Sequence, residues 1–127
     1  MVLLVLDSSF VIDHLRGESA ASDRWHRMFE NGDEPIATDI MVCEVRAGLR
    51  ADAEARFRAF LEPVEFVQPG AAVAMTAGRW RAEARASGRA LSLPDALIAA
   101  VADGLGASVV TRNVRDFALT PVRVERY

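Results

Sequence analysis

Residues 2–15 read VLLVLDSSFVIDHL, an apolar run that stops abruptly at a charged residue. Val2–Leu6 has the length and composition of a buried β-strand. Asp7 follows it directly, and burying a carboxylate costs free energy unless water or a positive charge compensates it. The stretch therefore predicts a buried strand followed directly by an acid that has a specific role at that position.

Four further short apolar runs follow, and they alternate with longer segments of helical periodicity. The predicted strands are Val2–Leu6, Pro35–Thr38, Val64–Val67, Ser108–Thr111 and Val122–Val124. The predicted helices are Ala20–Glu30, Ile40–Leu49, Ala53–Leu61, Ala71–Ser87 and Pro94–Leu105. Strands that alternate with helices indicate an α/β fold with a parallel sheet covered on both faces.

The length, composition and net charge limit the classes of protein to which this chain can belong. A chain of 127 residues with 51% hydrophobic and 26% charged residues predicts one globular domain, residues 1–127. A net charge of −3 gives no overall attraction to nucleic acid, so such binding would need local patches or bound cations. All 15 basic residues are arginine, and Cys43 is the single cysteine, which excludes an intrachain disulfide.

The compartment is inferred from the same features. Met1–Leu6 is too short to span a membrane and lacks the basic flank of a signal peptide. We therefore expect a cytoplasmic protein with no membrane association.

Four acids fall where an open α/β sheet binds its ligands, beyond the carboxyl ends of the strands. Asp7 follows the first predicted strand, and Asp116 lies in the segment after the fourth. Asp95 begins a helix whose N-terminus points to the same edge, and Glu44 lies on an otherwise apolar helix face. The sequence thus predicts that four acids from four elements converge on one cleft.

Each acid also has a structural explanation. Asp7 could cap the following helix. Asp95 lies three residues after Ser92, the spacing of a capping box, and Asn113 and Asp116 repeat that spacing.

Glu44 could form an ion pair with Arg46 or Arg50, although neither lies four residues away. Together the structural explanations of all four acids are less plausible than a shared site.

A cluster of carboxylates requires compensation. Two carboxylates about 4 Å apart repel by roughly 1 kcal/mol in water and roughly 4 kcal/mol at an effective dielectric constant of 20. The chain offers no lysine to neutralise them. An all-oxygen set of ligands suits Mg²⁺ or Mn²⁺ better than zinc.

The motifs resemble those of a known family. VLDSS-x-x-ID-H-L at residues 5–15, VCEVRAGL at 42–49 with Glu44, PDALIAAVADGLGASVVTRNVRDF at 94–117 and a final short strand are similar to PIN-domain ribonucleases. More narrowly, they resemble the VapC toxins of bacterial toxin–antitoxin pairs. The resemblance covers the whole chain, and its acidic quartet falls on Asp7, Glu44, Asp95 and Asp116. Thr111 and Asn113 match the polar residues beside that quartet.

The resemblance implies a three-layer α/β/α sandwich, a homodimer and Mg²⁺-dependent endoribonuclease activity, with Mn²⁺ as a substitute. It also implies a cognate VapB-type antitoxin that blocks the active site within a larger toxin–antitoxin assembly. RNA would be hydrolysed by a water activated by one or two ions. Asp7 and Asp95 would be the principal ligands, and Glu44 and Asp116 would be further ligands or a base.

Residues around the quartet have two explanations each. Ser9, Thr111 and Asn113 could hold the carboxylates in place or could serve only as turn and cap residues. Arg112 and Arg115 flank the predicted cleft and are candidates for contacts to RNA phosphates.

On the longest helix, Arg81, Arg85 and Arg89 form a row. We interpret this row as a solvated face that Glu83 partly neutralises, in preference to a phosphate contact.

Other acidic or nucleotide-binding α/β families fit less well. A phosphorelay receiver needs a lysine, a haloacid-dehalogenase-type phosphatase needs Asp-x-Asp after the first strand, and neither G-x-G-x-x-G nor a P-loop is present. The alternative from another class is a catalytically silent PIN-like module that acts by binding protein. Transfer, ribosomal and messenger RNA are all open as substrates.

Overall fold

A computed structural model describes residues 1–127, and its centre is a five-stranded parallel sheet. The strands are β1 (Leu3–Leu6), β2 (Glu34–Ala37), β3 (Glu65–Phe66), β4 (Ser108–Val110) and β5 (Val124–Glu125). Their spatial order is β3-β2-β1-β4-β5. The chain builds the sheet outward from β1 in one direction and then returns to add β4 and β5 on the other side. Strand order therefore reverses between β1 and β4.

Six α-helices connect and cover the strands. They are α1 (Ser8–Leu15), α2 (Ser19–Glu30), α3 (Asp39–Gly48), α4 (Glu54–Leu61), α5 (Ala71–Ala86) and α6 (Leu93–Leu105). Short 3₁₀ helices span Ala51–Ala53 and Val114–Phe117. None of the six helices is both long and apolar enough to cross a lipid bilayer.

Burial of the central strands shows that both faces of the sheet are covered. Consecutive residues Leu4, Val5 and Leu6 of β1 are all fully buried, and so are Val109 and Val110 of β4. Because successive side chains of a strand point to opposite faces, helices must lie on each side. This confirms the predicted α/β/α sandwich.

All five predicted strands and all five predicted helices are present, with ends that differ by one or two residues. The exception is α1, which was not among the five predicted helices, although a helix after Asp7 was considered when Asp7 was weighed as a cap. The buried face of α1 contains Ser9 and Asp13 beside Phe10 and Val11. Because two polar residues interrupt the face, apolar periodicity could not reveal this helix.

Helix α6 has clear signals at both ends. The Ser92 hydroxyl caps its N-terminus, and Gly106 ends it with a positive φ of 64°, which glycine adopts without strain. Its buried face consists largely of alanine, with Ala96, Ala99 and Ala102 fully buried. Such small side chains let α6 pack closely, with Asp95 held at the carboxyl edge of the sheet.

Candidate active site

The site begins where strand order reverses. Asp7 directly follows β1 and Thr111 directly follows β4. The Asp7 N–H donates to the Val110 carbonyl at 3.1 Å, which joins the ends of the two strands. Ligands of open α/β sheets bind at such a reversal, because loops diverge there and leave a crevice.

The Asp7 carboxylate is 3% exposed and is held by two hydroxyl groups. Its Oδ2 accepts hydrogen bonds from Ser9 Oγ at 2.9 Å and from Thr111 Oγ1 at 2.7 Å. Asp7 occupies the N-cap position of α1, but its side chain accepts no hydrogen bond from the helix backbone. The capping explanation of Asp7 is therefore wrong.

Backbone donors orient these hydroxyls. Ser9 Oγ accepts from the Arg112 N–H at 3.0 Å, and Thr111 Oγ1 accepts from the Asn113 N–H at 2.9 Å. Each hydroxyl has one hydrogen to donate, and this arrangement leaves it free for Asp7. Ser9 and Thr111 thus contact Asp7 directly, whereas Asn113 takes part through its backbone N–H and its side chain caps no helix.

Oε1 of Glu44 is buried and has no hydrogen-bond partner. No other buried side-chain oxygen or nitrogen atom of the chain lacks one. Burial raises the pKa of Glu44, repulsion from Asp7 and Asp95 raises it further, and the nearby Ser8 hydroxyl partly offsets the rise. A buried acceptor without a donor costs free energy, so a functional explanation is favoured.

Glu44 forms no ion pair with Arg46 or Arg50. Arg46 pairs instead with Glu54 at 2.6 Å, and Arg50 lies 3.6 Å from Asp52. The arginines considered as partners for Glu44 are therefore engaged elsewhere.

Asp95 combines a structural role with a place in the acidic group. Its N–H donates to Ser92 Oγ at 3.2 Å, so the predicted cap forms at the start of α6. Burial raises the pKa of the Asp95 carboxyl, and repulsion from Asp7 and Asp116 adds to this rise, while Ser92 opposes it. Asp116 itself is exposed on the 3₁₀ helix Val114–Phe117.

Repulsion between pairs of these acids connects all four of them through Asp95. Asp95 repels each of the other three acids, and Asp7 also repels Glu44. No three Asp, Glu, His or Cys side chains stand at the spacing of a formed metal site. The donors are nevertheless all carboxylate oxygens, and Glu44 Oε1 is buried without a partner. These properties fit a hard divalent cation such as Mg²⁺.

A second buried acid, Asp13, was not singled out from the sequence. It is 6% exposed, and its carboxylate pairs with the Arg112 guanidinium and accepts a hydrogen bond of 2.5 Å from the Tyr127 hydroxyl. The Tyr127 ring packs edge-on against Phe10 at 5.1 Å. This Asp13 clamp ties the last residue of the chain to the loop that follows β4. In the sequence, the one signal for this contact was that Asp13 is the aspartate of the ID-H-L motif.

The clamp changes the interpretation of the flanking arginines. Arg112 was a candidate for phosphate contact, but its guanidinium is ion-paired with Asp13. Arg115 is exposed and forms no ion pair, so its charge is available to a ligand. Of the two, Arg115 is the stronger candidate.

Tyr127→Phe tests the clamp. The variant keeps the ring on Phe10 but removes a hydrogen bond to a buried carboxylate, so we expect a loss of about 1.5–3 kcal/mol in the free energy of unfolding. Urea denaturation monitored by circular dichroism measures this. A midpoint equal to that of the unaltered protein would show that the hydroxyl does not support the loop.

Comparisons with known proteins agree with this geometry. The PIN domain family matches residues 4–121. Ribonuclease VapC19 from Mycobacterium tuberculosis (strain ATCC 25618 / H37Rv) is 34% identical over 117 residues, which cover 92% of this chain and 94% of the relative.

Two solved structures illustrate the shared fold. VapBC2 from Rickettsia felis, bound to a promoter DNA fragment, superposes with a TM-score of 0.87 at 19% identity, over 99% of each chain. A toxin–antitoxin complex from Klebsiella pneumoniae gives a TM-score of 0.77 at 26% identity, over 93% of this chain and 92% of the other. The predicted family is therefore confirmed: this chain belongs to the PIN-domain family and, within it, to the VapC proteins.

Proposed function

We propose that the protein is the toxin of a toxin–antitoxin pair and acts as a divalent-metal-dependent endoribonuclease that hydrolyses RNA phosphodiester bonds. One observation carries the proposal: Asp7, Glu44, Asp95 and Asp116 come from four different elements, yet Asp95 is close enough to repel each of the other three. They lie where strand order reverses, and Glu44 Oε1 is buried there without a hydrogen-bond partner. The relative named as a ribonuclease supports the same activity.

The proposed roles follow from the environment of each acid. Asp7 and Asp95 would be the principal ligands of Mg²⁺, or of Mn²⁺ in its place, with Glu44 and Asp116 as further ligands or as a base. The ion, when bound, would supply Lewis acidity and lower the pKa of water. Because its pKa is raised, Glu44 is a better proton acceptor near neutral pH than an ordinary carboxylate.

Neighbouring residues would position the acids and the substrate. Ser9 and Thr111 fix Asp7 by donating to Oδ2, which leaves Oδ1 without a hydrogen bond from the protein and available to a cation. Arg115 would contact a phosphate of the RNA, and Arg112 would hold the loop in place through Asp13.

The partners are proposed on the same basis. We infer a VapB-type antitoxin, because the two solved structures described above are a VapBC complex and a toxin–antitoxin complex. A homodimer within a larger toxin–antitoxin assembly and a cytoplasmic location complete the proposal.

Metal removal tests the activity. Purified protein freed of antitoxin is incubated with total cellular RNA, first in EDTA and then with increasing Mg²⁺ or Mn²⁺. We expect no cleavage in EDTA and saturable cleavage on addition of either ion, because the carboxylates need a cation to bring a phosphate close. If pure protein never cleaves RNA at any metal concentration, the catalytically silent module is the better interpretation.

A further inference from the structure

A basic cleft lies at the end of α5, outside the acidic site. Arg81, Arg85 and Arg89 line it together with Ala90 and Leu91, and its volume is about 180 Å³. Three arginines therefore line one small concavity with the size to hold a phosphate group.

None of these three arginines forms an ion pair within the protein. The ion pairs of the chain involve other arginines, and Glu83 pairs with none of them. Arg85 and Arg89 are exposed, as the predicted solvated face requires, but Glu83 forms no ion pair with the row. Arg81 is held in place, because its Nε donates to the Leu91 carbonyl at 3.0 Å.

The chain places this cleft beside the acidic site. Leu91 immediately precedes Ser92, the N-cap of α6, and Asp95 follows in the first turn of that helix. Helices α5 and α6 pack against each other and are joined by residues 87–92, so the C-terminal end of α5 adjoins the N-terminal end of α6. The three arginines thus lie at the carboxyl edge of the sheet, as the four acids do.

We propose that Arg81, Arg85 and Arg89 form a binding subsite for a backbone phosphate of the RNA, next to the phosphate that is cleaved. The inference rests on the proposed ribonuclease function. With a net charge of −3 and four clustered acids, the protein needs local positive charge to hold a polyanion. Guanidinium groups meet this need because their N–H donors match two phosphate oxygens at once.

The test measures RNA binding separately from cleavage. Binding of a fluorescein-labelled single-stranded RNA of 12 random nucleotides is followed by fluorescence anisotropy in EDTA, at several salt concentrations. For single strands, each phosphate contact contributes about 0.7 to the slope of log K against log salt. The subsite is proposed to hold one phosphate, so we expect Arg85→Gln/Arg89→Gln to lower that slope by about 0.7 and to raise KM in Mg²⁺ with little change in kcat.

A matched control removes the same charge at the opposite edge of the sheet. Arg27 is exposed near the end of α2, and Arg123, just before β5, donates to the Gly106 carbonyl as Arg81 does to Leu91. Arg27→Gln/Arg123→Gln should leave the slope and KM unchanged, and Arg85→Lys/Arg89→Lys should retain most of the slope.

The outcomes separate this inference from the proposed activity. Equal slopes for the double variant and the control, or no RNA binding by the unaltered protein, would overturn the subsite. Slope loss confined to Arg85→Gln/Arg89→Gln in a protein that never cleaves RNA would support the subsite and reject the nuclease.

Discussion

Asp7→Asn is expected to lower the rate of RNA cleavage by more than 100-fold without unfolding the protein. Loss of a residue that merely supports a metal ligand costs roughly 10–100-fold, and Asp7 is proposed to be a ligand itself. Asparagine keeps one oxygen that can accept from Ser9 and Thr111, so the local hydrogen bonds survive while the charge is lost. Cleavage of total RNA in Mg²⁺ and thermal melting in EDTA measure the two effects.

The control is an aspartate at the other end of β1. Asp33 accepts a hydrogen bond from the Val2 N–H at 3.1 Å, so Asp33→Asn makes the same chemical change away from the site. It should cleave normally. Expression of the unaltered protein should stop bacterial growth, and Asp7→Asn should relieve that arrest. If Asp7→Asn melts much earlier than the unaltered protein, the carboxylate is structural and the site is misassigned.

Glu44→Gln is expected to reduce cleavage strongly and, in EDTA at neutral pH, to stabilise the fold. Burial and repulsion from Asp7 and Asp95 raise the pKa of Glu44 above the ordinary value of 4.5. Its ionisation therefore opposes folding. The stability that protonated Glu44 contributes is fully present below about pH 4.5, where the residue is protonated in both the folded and the unfolded protein. It is lost as pH rises through the raised pKa of the folded protein. Because glutamine does not ionise, the Glu44→Gln variant does not lose this stability at neutral pH.

The measurement is the difference in urea midpoint between Glu44→Gln and the unaltered protein at pH 5.0 and 7.5. The urea midpoint of Glu44→Gln should be the higher of the two, and the difference should increase with pH. His14, whose pKa is lowered by burial and by His26 and Arg56, is present in both proteins, so its contribution cancels in the difference. Asp103→Asn on the exposed end of α6 is the control. A variant less stable than the unaltered protein at pH 7.5 would show that Glu44 serves the fold.

Local signals in the chain were sufficient for most of the architecture. The apolar runs that became β1 and β4, and the Ser92 and Gly106 ends of α6, depend on neighbours within a few residues. The same holds for the spacing that puts Asp7 and Asp95 at strand and helix ends. Helix α1 was not among the predicted helices because its buried face includes polar residues whose partners lie elsewhere in the chain.

By itself the sequence determined the α/β class, the family and the four acids to be tested. The tertiary structure alone decided what each side chain contacts: Thr111 holds Asp7 from 104 residues away, and Asp13 takes the charge of Arg112 and the hydroxyl of Tyr127. It also showed that Arg81, Arg85 and Arg89 line one cleft and form no ion pair within the protein. The reason is physical. Hydrogen bonds and ion pairs require atoms a few ångströms apart, and for distant residues that separation depends on the pairing of β1 with β4 and the packing of α5 on α6.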